Sequence, residues 1–468
     1  MAKKKLLLLS DDIRIPSGVG TMSKELVIGT VDRYDWVQIG GAVKHPDKGK
    51  IFDLSKDIQN QTGVEDASVK VYPVNGYGDE QILREVLSLE KDIEGIVHFT
   101  DPRFWKWLYA MDHELRQTMP IMYYNIWDDL PFPHWNEPFY ESCDLLMAIS
   151  KQTYNINRNV CVNKPRVEGI DLTYVPHGIN ENDFYPVNKQ APEYKEFMSQ
   201  FTRGKEYDFV ALFNSRNIQR KRTSDLVLAY QKFCESLPKE KSEKCLLVLH
   251  TDPVDNAGTD LPALVNALCD YDVAFSNQKL DRKHLNFLYN FVDVMCNPSS
   301  AEGFGLTHME AMMSGTPTIA TVVGGLQDQM GFVNSDGNYI TTDDFNSEVP
   351  SNSAKGISTE HGSWTYPLWP QMNLQGSPLT PYIYDSRVSV EQITKGLMHW
   401  YSAEKEERER CGLEGREWAI KEGFTAVGMC NEFKKSIDTC FDNFTPREKY
   451  NLIDCTAPLA ELNKGILI

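Results

Sequence analysis

Short apolar runs recur along the 468-residue chain, separated by stretches that are compatible with helices. The first series consists of Leu6–Leu9, Trp36–Ile39, Gly95–Phe99, Ile121–Tyr124 and Leu145–Ile149. The second series consists of Phe209–Phe213, Leu246–His250, Val273–Phe275, Val292–Cys296 and Thr318–Ala320. Apolar runs that alternate with helices are typical of parallel sheets with crossover helices. The chain is therefore predicted to be an α/β protein with two Rossmann-like, doubly wound domains that face each other across a cleft.

The two series place the predicted domains at residues 1–185 and 206–425, joined by a polar linker. Residues 426–468 are predicted to form a helical tail. A segment from about 334 to 378 is rich in Ser, Asn, Asp, Gly, Pro and Thr. This segment is predicted to be a long loop on the second domain, either ordered or a flexible surface excursion.

The composition narrows the class of protein. The chain has 48 Lys and Arg against 66 Asp and Glu, a formal net charge of -18. This balance argues against a surface that binds nucleic acid throughout, although a local basic groove stays compatible with it. The ten cysteines form no C-x-x-C pair, and no apolar run approaches the roughly 18 residues of a membrane helix. A cytoplasmic protein that does not insert into a membrane is expected.

The segment Ser299–Ala311 carries the most chemical information. A turn follows the apolar run that ends at Cys296, and a helix is predicted to begin near Leu306. The glycines of the turn allow the backbone to approach a ligand, and a helix N-terminus offers N–H groups that suit a diphosphate. Glu302 before the helix and Glu310 inside it can accept hydrogen bonds from hydroxyl groups at two points of one ligand. A Gly-rich turn whose glutamates face water is an equally favoured interpretation of this segment alone.

A second motif directly follows the run that ends at Phe213. Arg216 and Lys221 lie five residues apart at the predicted carboxyl end of a strand. Two cations held there can stabilise the charge of a departing phosphate. Taken alone, a solvated basic helix start is the favoured interpretation.

Together, the two motifs resemble the second domain of the retaining GT-B-fold glycosyltransferases with an E-x7-E motif, the group 1 or family 4-like enzymes. Glu302 and Glu310 match the two glutamates of that motif, and Arg216 and Lys221 match the arginine and lysine that precede it. Three more segments resemble the same family: Gly315-Thr316-Pro317, Gly324-Gly325 and Tyr174-Val175-Pro176-His177-Gly178-Ile179-Asn180. The resemblance covers most of residues 6–330.

The resemblance implies a role for each matched residue. Glu310 is expected to hold the nucleotide ribose, and Glu302 to lie beside the donor sugar. Arg216 and Lys221 are expected to hold the donor phosphates. The other donor-binding positions are glycines and backbone amides around the sugar and the diphosphate: Gly18, Gly20, Gly303, Phe304, Gly305, Leu306 and Thr307. Glu302 and Arg216 are expected to lie on cleft loops. Replacing either of them by Ala is therefore expected to reduce transfer and leave the fold intact.

The same resemblance implies retaining transfer by front-face attack, in which the leaving phosphate helps to deprotonate the acceptor. No covalent nucleophile is therefore assigned. The expected donor is a UDP-sugar, since uridine is the commonest base in the family. No metal or other cofactor is expected, because the fold generally works without a catalytic metal. The D-x-D sequence of residues 270–272 lies outside the motif loops and is interpreted as surface.

One position departs from the family pattern. The family often has a His-Asp pair after a first-domain strand, where the His contacts the C6 hydroxyl of the sugar. Here Trp127 occupies the position of the His and is followed by Asp128. A pentose such as arabinose, which lacks that hydroxyl group, is thereby favoured, with glucose as the alternative. Asp128 is a candidate acceptor contact and is grouped with the catalytic candidates; a structural role at the domain seam is equally compatible.

The acceptor is the least constrained part of the function. An aromatic-rich string that includes Trp105, Lys106, Trp107, Trp127 and Trp135 resembles glycosyltransferases of T-even-type tailed phages. That resemblance makes hydroxymethylcytosine in DNA the leading single acceptor, because aromatic rings can stack on an extruded base. The same tryptophans can instead pack a domain core. A glycan, a lipid-linked sugar or a small molecule stays open as acceptor, as does a non-catalytic sugar-nucleotide-binding protein, and the oligomeric state is not predicted.

Overall fold

The computed structural model describes residues 3–42, 44, 47–162, 169–202, 204–346, 348 and 360–448. The strands, in chain order, are β1 (Lys4–Asp11), β2 (Tyr34–Gly41), β3 (Phe52–Asp53), β4 (Val69–Pro73), β5 (Ile93–Phe99), β6 (Ile121–Asn125), β7 (Leu145–Ala148), β8 (Asp171–Tyr174), β9 (Phe209–Asn214), β10 (Cys245–His250), β11 (Val273–Ser276), β12 (Val294–Asn297), β13 (Thr318–Thr321), β14 (Thr365–Leu368), β15 (Gln371–Ser377) and β16 (Thr380–Arg387).

Helices flank these strands. In chain order they are α1 (Gly18–Thr30), α2 (Ser55–Thr62), α3 (Glu80–Leu89), α4 (Lys106–Ala110), α5 (Asp112–Leu115), α6 (Glu137–Glu141), α7 (Lys151–Asn157), α8 (Pro192–Thr202), α9 (Thr223–Glu235), α10 (Lys239–Ser242), α11 (Leu261–Leu268), α12 (Arg282–Phe291), α13 (Leu306–Met313), α14 (Val390–Ser402), α15 (Lys405–Lys421) and α16 (Ala426–Asn443). No helix in the described ranges is both long and apolar enough to cross a membrane.

The strands form two large sheets, one in each half of the chain. The first has the order β3-β4-β2-β1-β5-β6-β7-β8 and is parallel apart from the pairing of β3 with β4. The second has the order β11-β10-β9-β12-β13-β14, and all of its pairings are parallel. Both series of predicted strands are confirmed, and with them the α/β fold with two doubly wound domains.

The strand order locates the ligand-binding edge of each sheet. In the first sheet β1 lies between β2, the next strand of the chain, and β5. In the second sheet β9 lies between β10, the next strand of the chain, and β12. Loops that leave the carboxyl ends of strands on the two sides of such a switch point diverge and open a crevice. The loops after β1, β9 and β12 all leave such points, and the predicted donor-binding residues lie in these loops and in the helices α1 and α13 that follow them.

The predicted long loop at 334–378 is wrong in part. Residues Thr365–Leu368 form the sixth strand of the second sheet, parallel to β13, and Gln371 begins an antiparallel hairpin of β15 and β16. Thr365 and Leu368 are buried because β13 and α14 cover them. Residues 347 and 349–359 of the predicted loop lie outside the described residues.

The linker between the predicted domains contains a helix. In α8, Tyr194, Phe197 and Met198 are buried, at the spacing of one helical face. Tyr194 packs edge-on against Phe287 of α12, with 5.5 Å between the ring centroids. The polar positions between these three residues obscured the helix in the sequence.

The last described helix, α16, begins at the predicted start of the tail and packs on the first domain. The hydroxyl of Tyr34 donates to Asp438 at 2.8 Å, and Lys434 pairs with Asp32 at 3.1 Å. The chain therefore returns to its first half after completing the second. Residues 449–468 of the predicted tail lie outside the described residues.

Candidate functional site

A buried carboxylate stands at the centre of the site. Glu302, between β12 and α13, has only 7% of its surface exposed. It accepts a hydrogen bond from the Lys221 ammonium, with 2.6 Å from Nζ to Oε1, and one from the Arg220 guanidinium, with 2.8 Å from Nη1 to Oε2. Burial tends to raise the pKa of Glu302, but the two cations outweigh it and lower this pKa to about 2. The carboxylate is therefore ionised at any physiological pH.

For the buried Lys221, burial affects the pKa more than the neighbouring charges do. The Lys221 side chain is 8% exposed. Burial lowers the pKa of Lys221, and the Glu302 carboxylate opposes that shift. Because β9 and β12 are neighbours in the sheet, the loops that follow them bring this pair together across 81 residues of sequence.

The structure places Arg216 apart from this pair. Arg216 Nε donates to Asp255 at 2.9 Å, and the side chain is 66% exposed. Arg220, which the sequence analysis missed, lies against Glu302 instead. No local signal distinguishes the two arginines, because the contact of Arg220 depends on a loop 82 residues away.

The glycines of the motif loop fit narrow spaces. Gly305 has a φ of 92°, and a Cβ there would lie 2.5 Å from Leu326 Cδ2. A Cβ on Gly303 would lie 3.1 Å from Ile149 Cδ1 and 3.2 Å from the carbonyl oxygen of Ile126. Since Ile126 and Ile149 belong to the first domain, the loop lies at the domain seam.

The glycine loop of the first domain faces the same helix start. A Cβ on Gly18 would lie 3.7 Å from Leu306 Cδ1 at the first residue of α13. A Cβ on Gly20 would lie 2.7 Å from the carbonyl oxygen of Ile15, so this glycine is needed for packing within its own loop. Ser17 caps α1 by accepting from the Gly20 amide at 2.9 Å. The structure thus brings the two predicted donor-binding loops together.

The second glutamate of the motif lies one turn inside α13. Glu310 accepts a hydrogen bond from the Tyr289 hydroxyl at 2.7 Å, and Asn214 donates to that same hydroxyl at 2.7 Å. Burial raises the pKa of Glu310, and the bond from Tyr289 opposes this shift.

The other predicted donor-binding residues between the two glutamates differ in the groups that they can offer a ligand. The Phe304 side chain is buried and contacts the His177 ring at 5.3 Å between centroids. Phe304 can therefore contribute backbone only, whereas Leu306 and Thr307 are half-buried. Their amides lie in the first turn of α13, where N–H groups lack partners within the helix.

Asp128 approaches the site from the first domain. It follows β6, and its carbonyl oxygen accepts from the Gln152 amide. Burial raises the pKa of Asp128 to about 6; the charge of Arg220 opposes this shift and that of Glu302 adds to it. Charges of the second domain therefore influence the pKa of Asp128 across the cleft.

The predicted aromatic string divides into core and cleft residues. Trp105 is completely buried in the first-domain core, so of its two alternatives the structure shows core packing and not base stacking. Trp127 and Trp135 are only partly covered, with 5.9 Å between their ring centroids. The Arg103 guanidinium lies 5.0 Å from the Trp127 ring centroid.

The hairpin of β15 and β16 joins the two domains beside these rings. The Tyr384 amide donates to the carbonyl oxygen of Leu130 at 2.8 Å, and the Tyr382 ring lies 4.5 Å from that of Trp135. At its base, Asp385 pairs with Arg222, the residue after Lys221. The predicted loop ended near residue 378, and no sequence pattern indicated this bridge.

No group of three or more His, Cys, Asp or Glu residues suited to a metal ion occurs within the part of the chain that the structure describes. Asp272 of the D-x-D sequence pairs with Lys205 at 2.6 Å on the surface. The expectation that no cofactor is needed stays a prediction.

Comparison with known proteins gives a family match that includes the second-domain residues of this site. Residues 195–332, which include both motifs, match the protein family described as glycosyl transferases group 1. The chain is 29% identical over 192 residues to mannosylfructose-phosphate synthase of Agrobacterium fabrum, a region that is 40% of this chain and 39% of that protein. It is 39% identical over 67 residues to D-inositol 3-phosphate glycosyltransferase of an Arthrobacter species, 14% of this chain and 16% of that protein. The chain therefore spans well under half the length of these curated relatives.

Solved structures resemble the chain over nearly all of its length. A crystal structure of HepE of Anabaena, in complex with UDP and glucose, aligns with a TM-score of 0.61 and 14% identity, covering 93% of this chain and all of that one. Sucrose-phosphate synthase of Thermosynechococcus elongatus aligns with a TM-score of 0.61 and 16% identity, covering 94% of this chain and all of that one. The fold of the chain is the GT-B fold of two facing Rossmann-like domains.

Proposed function

We propose that the protein is a retaining glycosyltransferase that moves a sugar from a nucleotide-diphosphate donor, with UDP as the nucleotide, to a hydroxyl acceptor. One observation carries the proposal: an ionised Glu302 is buried between Lys221 and Arg220 where the loops of both domains face each other. Ions buried in this way are costly unless they act on a ligand or stabilise each other, and they cluster at functional sites.

We place the donor along these residues in the orientation that the family resemblance implies. The diphosphate lies at the N-terminus of α13, where the amides of Leu306 and Thr307 and the positive end of the helix dipole stabilise it. Lys221 and Arg216 neutralise the charge that grows on the leaving phosphate. Glu310 accepts from the ribose hydroxyls and Glu302 from the sugar. No covalent nucleophile and no cofactor is assigned.

The first experiment incubates the purified protein with a panel of nucleotide sugars and measures the release of nucleoside diphosphate. Release from one donor, with UDP as a competitive inhibitor, is the expected result. Donor binding without turnover in the presence of every acceptor below would favour the non-catalytic sugar-nucleotide-binding protein. If neither binding nor release occurs, the proposal fails.

For the acceptor, we propose hydroxymethylcytosine in DNA as the first to test. Trp127 directly precedes Asp128, its partly covered ring contacts that of Trp135, and Arg103 lies over the Trp127 ring. Such rings can stack on an extruded base while a carboxylate accepts from its hydroxymethyl group. After reaction the DNA is digested and the nucleosides are weighed by mass spectrometry. A gain of one pentose would support the argument from Trp127, a gain of one hexose would point to glucose, and no gain excludes this acceptor.

A phosphorylated small acceptor is the second candidate. The relatives named above include a mannosylfructose-phosphate synthase, an inositol 3-phosphate glycosyltransferase and a sucrose-phosphate synthase. Fructose 6-phosphate and inositol 3-phosphate are therefore the matched probes. An increase of UDP release with either compound but not with DNA would favour a phosphorylated small molecule as the acceptor.

Replacing Arg216 by Ala should weaken UDP binding about 10- to 100-fold, because a hydrogen bond to a charged group contributes about 1.5–3 kcal/mol. The free energy of unfolding should change by less than about 0.5 kcal/mol, since the side chain is exposed. Titration calorimetry with UDP measures the first quantity and denaturant unfolding the second. Asp255→Ala is the control, because it frees Arg216 without removing it and should keep UDP affinity. Unchanged affinity in Arg216→Ala would show that this arginine does not bind the donor.

The rate of transfer should fall as the pH decreases below about 6, because burial raises the pKa of Asp128 to about 6. The protonated acid is a weaker, uncharged hydrogen-bond acceptor for the hydroxyl group of the acceptor. Glu302 cannot cause this decrease, since its cations lower its pKa to about 2. Asp128→Asn should lower the rate and remove the acidic limb from the pH–rate profile. An acidic limb that persists in this variant would assign the titration to another group.

A further inference from the structure

The outer strand of the hairpin is an open sheet edge. Within the described residues β15 pairs only with β16, in antiparallel orientation, and every residue of β15 is exposed. The far edge of β16 is covered, because the Tyr384 amide donates to the first domain at Leu130. The hairpin of the second domain therefore contacts the first domain through β16, and among the described residues the outer edge of β15 has no strand partner.

This edge lacks the features that usually prevent pairing. The strand reads Gln371-Met372-Asn373-Leu374-Gln375-Gly376-Ser377 and contains no charge and no proline, in a chain with a formal net charge of -18. Met372 is 42% exposed and Leu374 is 65% exposed. Proteins generally protect an exposed edge with charges, prolines or a covering segment, because an unprotected edge pairs with another strand.

We propose that β15 pairs with the same strand of a second copy of this chain, antiparallel about a two-fold axis through Asn373. The strand is close to a palindrome around that residue. In this register Met372 faces the partner's Leu374, and Gln371 faces the partner's Gln375. An interface around a two-fold axis must be self-complementary in this way.

The backbone has the polarity that this register requires. The Tyr384 N–H points away from β15, so its cross-strand neighbour Leu374 occupies a non-hydrogen-bonded pair within the hairpin. The N–H and C=O of Leu374, and by alternation those of Met372, therefore point to the open edge. These are the groups that would exchange hydrogen bonds with the partner's Met372 and the partner's Leu374.

The expected product is a weak, reversible dimer with a continuous four-stranded sheet. A single pair of strands buries less than the roughly 1,200 Å² of a standard stable interface, so association in the micromolar range is expected. No charged residue lies in either paired strand, so the close contact itself brings no like charges together.

Sedimentation velocity of the full chain between about 1 and 100 µM tests the proposal. We expect the weight-average mass to rise with concentration toward twice that of the chain. Leu374→Lys should raise the dimer dissociation constant by about 10-fold or more, because the axis places its charges close together. Leu374→Pro should act similarly, since it removes an N–H that the hairpin itself does not use. Val427→Lys is the matched control, because Val427 is 69% exposed on α16 and should leave association unchanged.

Two results would overturn the proposal. The wild-type chain could remain a monomer at the highest concentration. Alternatively, Leu374→Lys could associate as the wild type does, which would place any interface elsewhere. The measurement needs neither donor nor acceptor, so its outcome is separate from that of the proposed sugar transfer.

Discussion

Replacing Glu302 by Ala is expected to abolish sugar transfer and to lower the free energy of unfolding by about 3–5 kcal/mol, because it leaves the buried Lys221 without its partner. The sequence alone predicts that the fold stays intact, since Glu302 lies on a cleft loop. The structure leads us to expect a loss of stability as well, because the side chain is 9% exposed and holds two cations. Denaturant unfolding and donor turnover measure the two effects.

A double variant separates structure from chemistry. In Glu302→Leu with Lys221→Met both buried charges are gone, and such replacements are often neutral or stabilising. The partly exposed Arg220 can turn toward water. We expect the unfolding free energy to return most of the way to the wild-type value while transfer stays absent. If the double variant regained turnover, Glu302 and Lys221 would have only a structural role.

The pH dependence of stability gives a second test of the same pair. The pKa of Glu302 is lowered from its ordinary value of 4.5 to about 2, chiefly by the charge of Lys221 acting against burial. The ion pair therefore contributes its full stability above pH 4.5 and loses it as the pH falls through about 2. In Glu302→Ala this part of the acid transition should be absent.

The sequence predicted the strands well because parallel strands covered by helices on both faces must be continuously apolar. Leu6–Leu9 is such a run, and all four residues are buried in β1. The strand β14 escaped prediction because it is short and contains Pro367, which a sheet accepts only at an edge. Its burial comes from β13, more than forty residues earlier, and α14. A local pattern cannot contain that information.

The residues of the site also fall into those that the sequence indicated and those that it could not indicate. Lys221, Glu302 and Glu310 were singled out because they match two short motifs of the resembled family, and the structure brings Lys221 and Glu302 together. The choice between Arg216 and Arg220 could not be predicted, since both follow the same strand and only the distant loop decides which one meets Glu302. The hairpin bridge was missed because its contacts with Leu130 and Trp135 join segments about 250 residues apart.

Replacing Gly324 by Ala should have an effect nearly as large as removing Glu302, although it adds only a methyl group. Gly324 has a φ of 46°, and a Cβ there would overlap the carbonyl oxygen of Glu302. That oxygen already accepts a hydrogen bond from the Gly325 amide at 3.0 Å. We expect a loss of about 3 kcal/mol or more in unfolding free energy, because backbone cannot yield as a side chain does. Donor turnover should fall with it, since the displaced carbonyl belongs to the residue whose carboxylate holds Lys221.

Gly337→Ala is the matched control for this prediction. Gly337 has a φ of 79°, and a Cβ there would have no atom of the described residues within 4 Å. Its substitution should therefore cost only the strain of a left-handed conformation, about 1–2 kcal/mol, and leave turnover unchanged. The difference between the two variants isolates the steric contact with Glu302 from the backbone strain that they share. Equal losses in both would mean that the loop before α13 can shift freely, and the close packing that holds Glu302 between its two cations would then not be what positions the carboxylate.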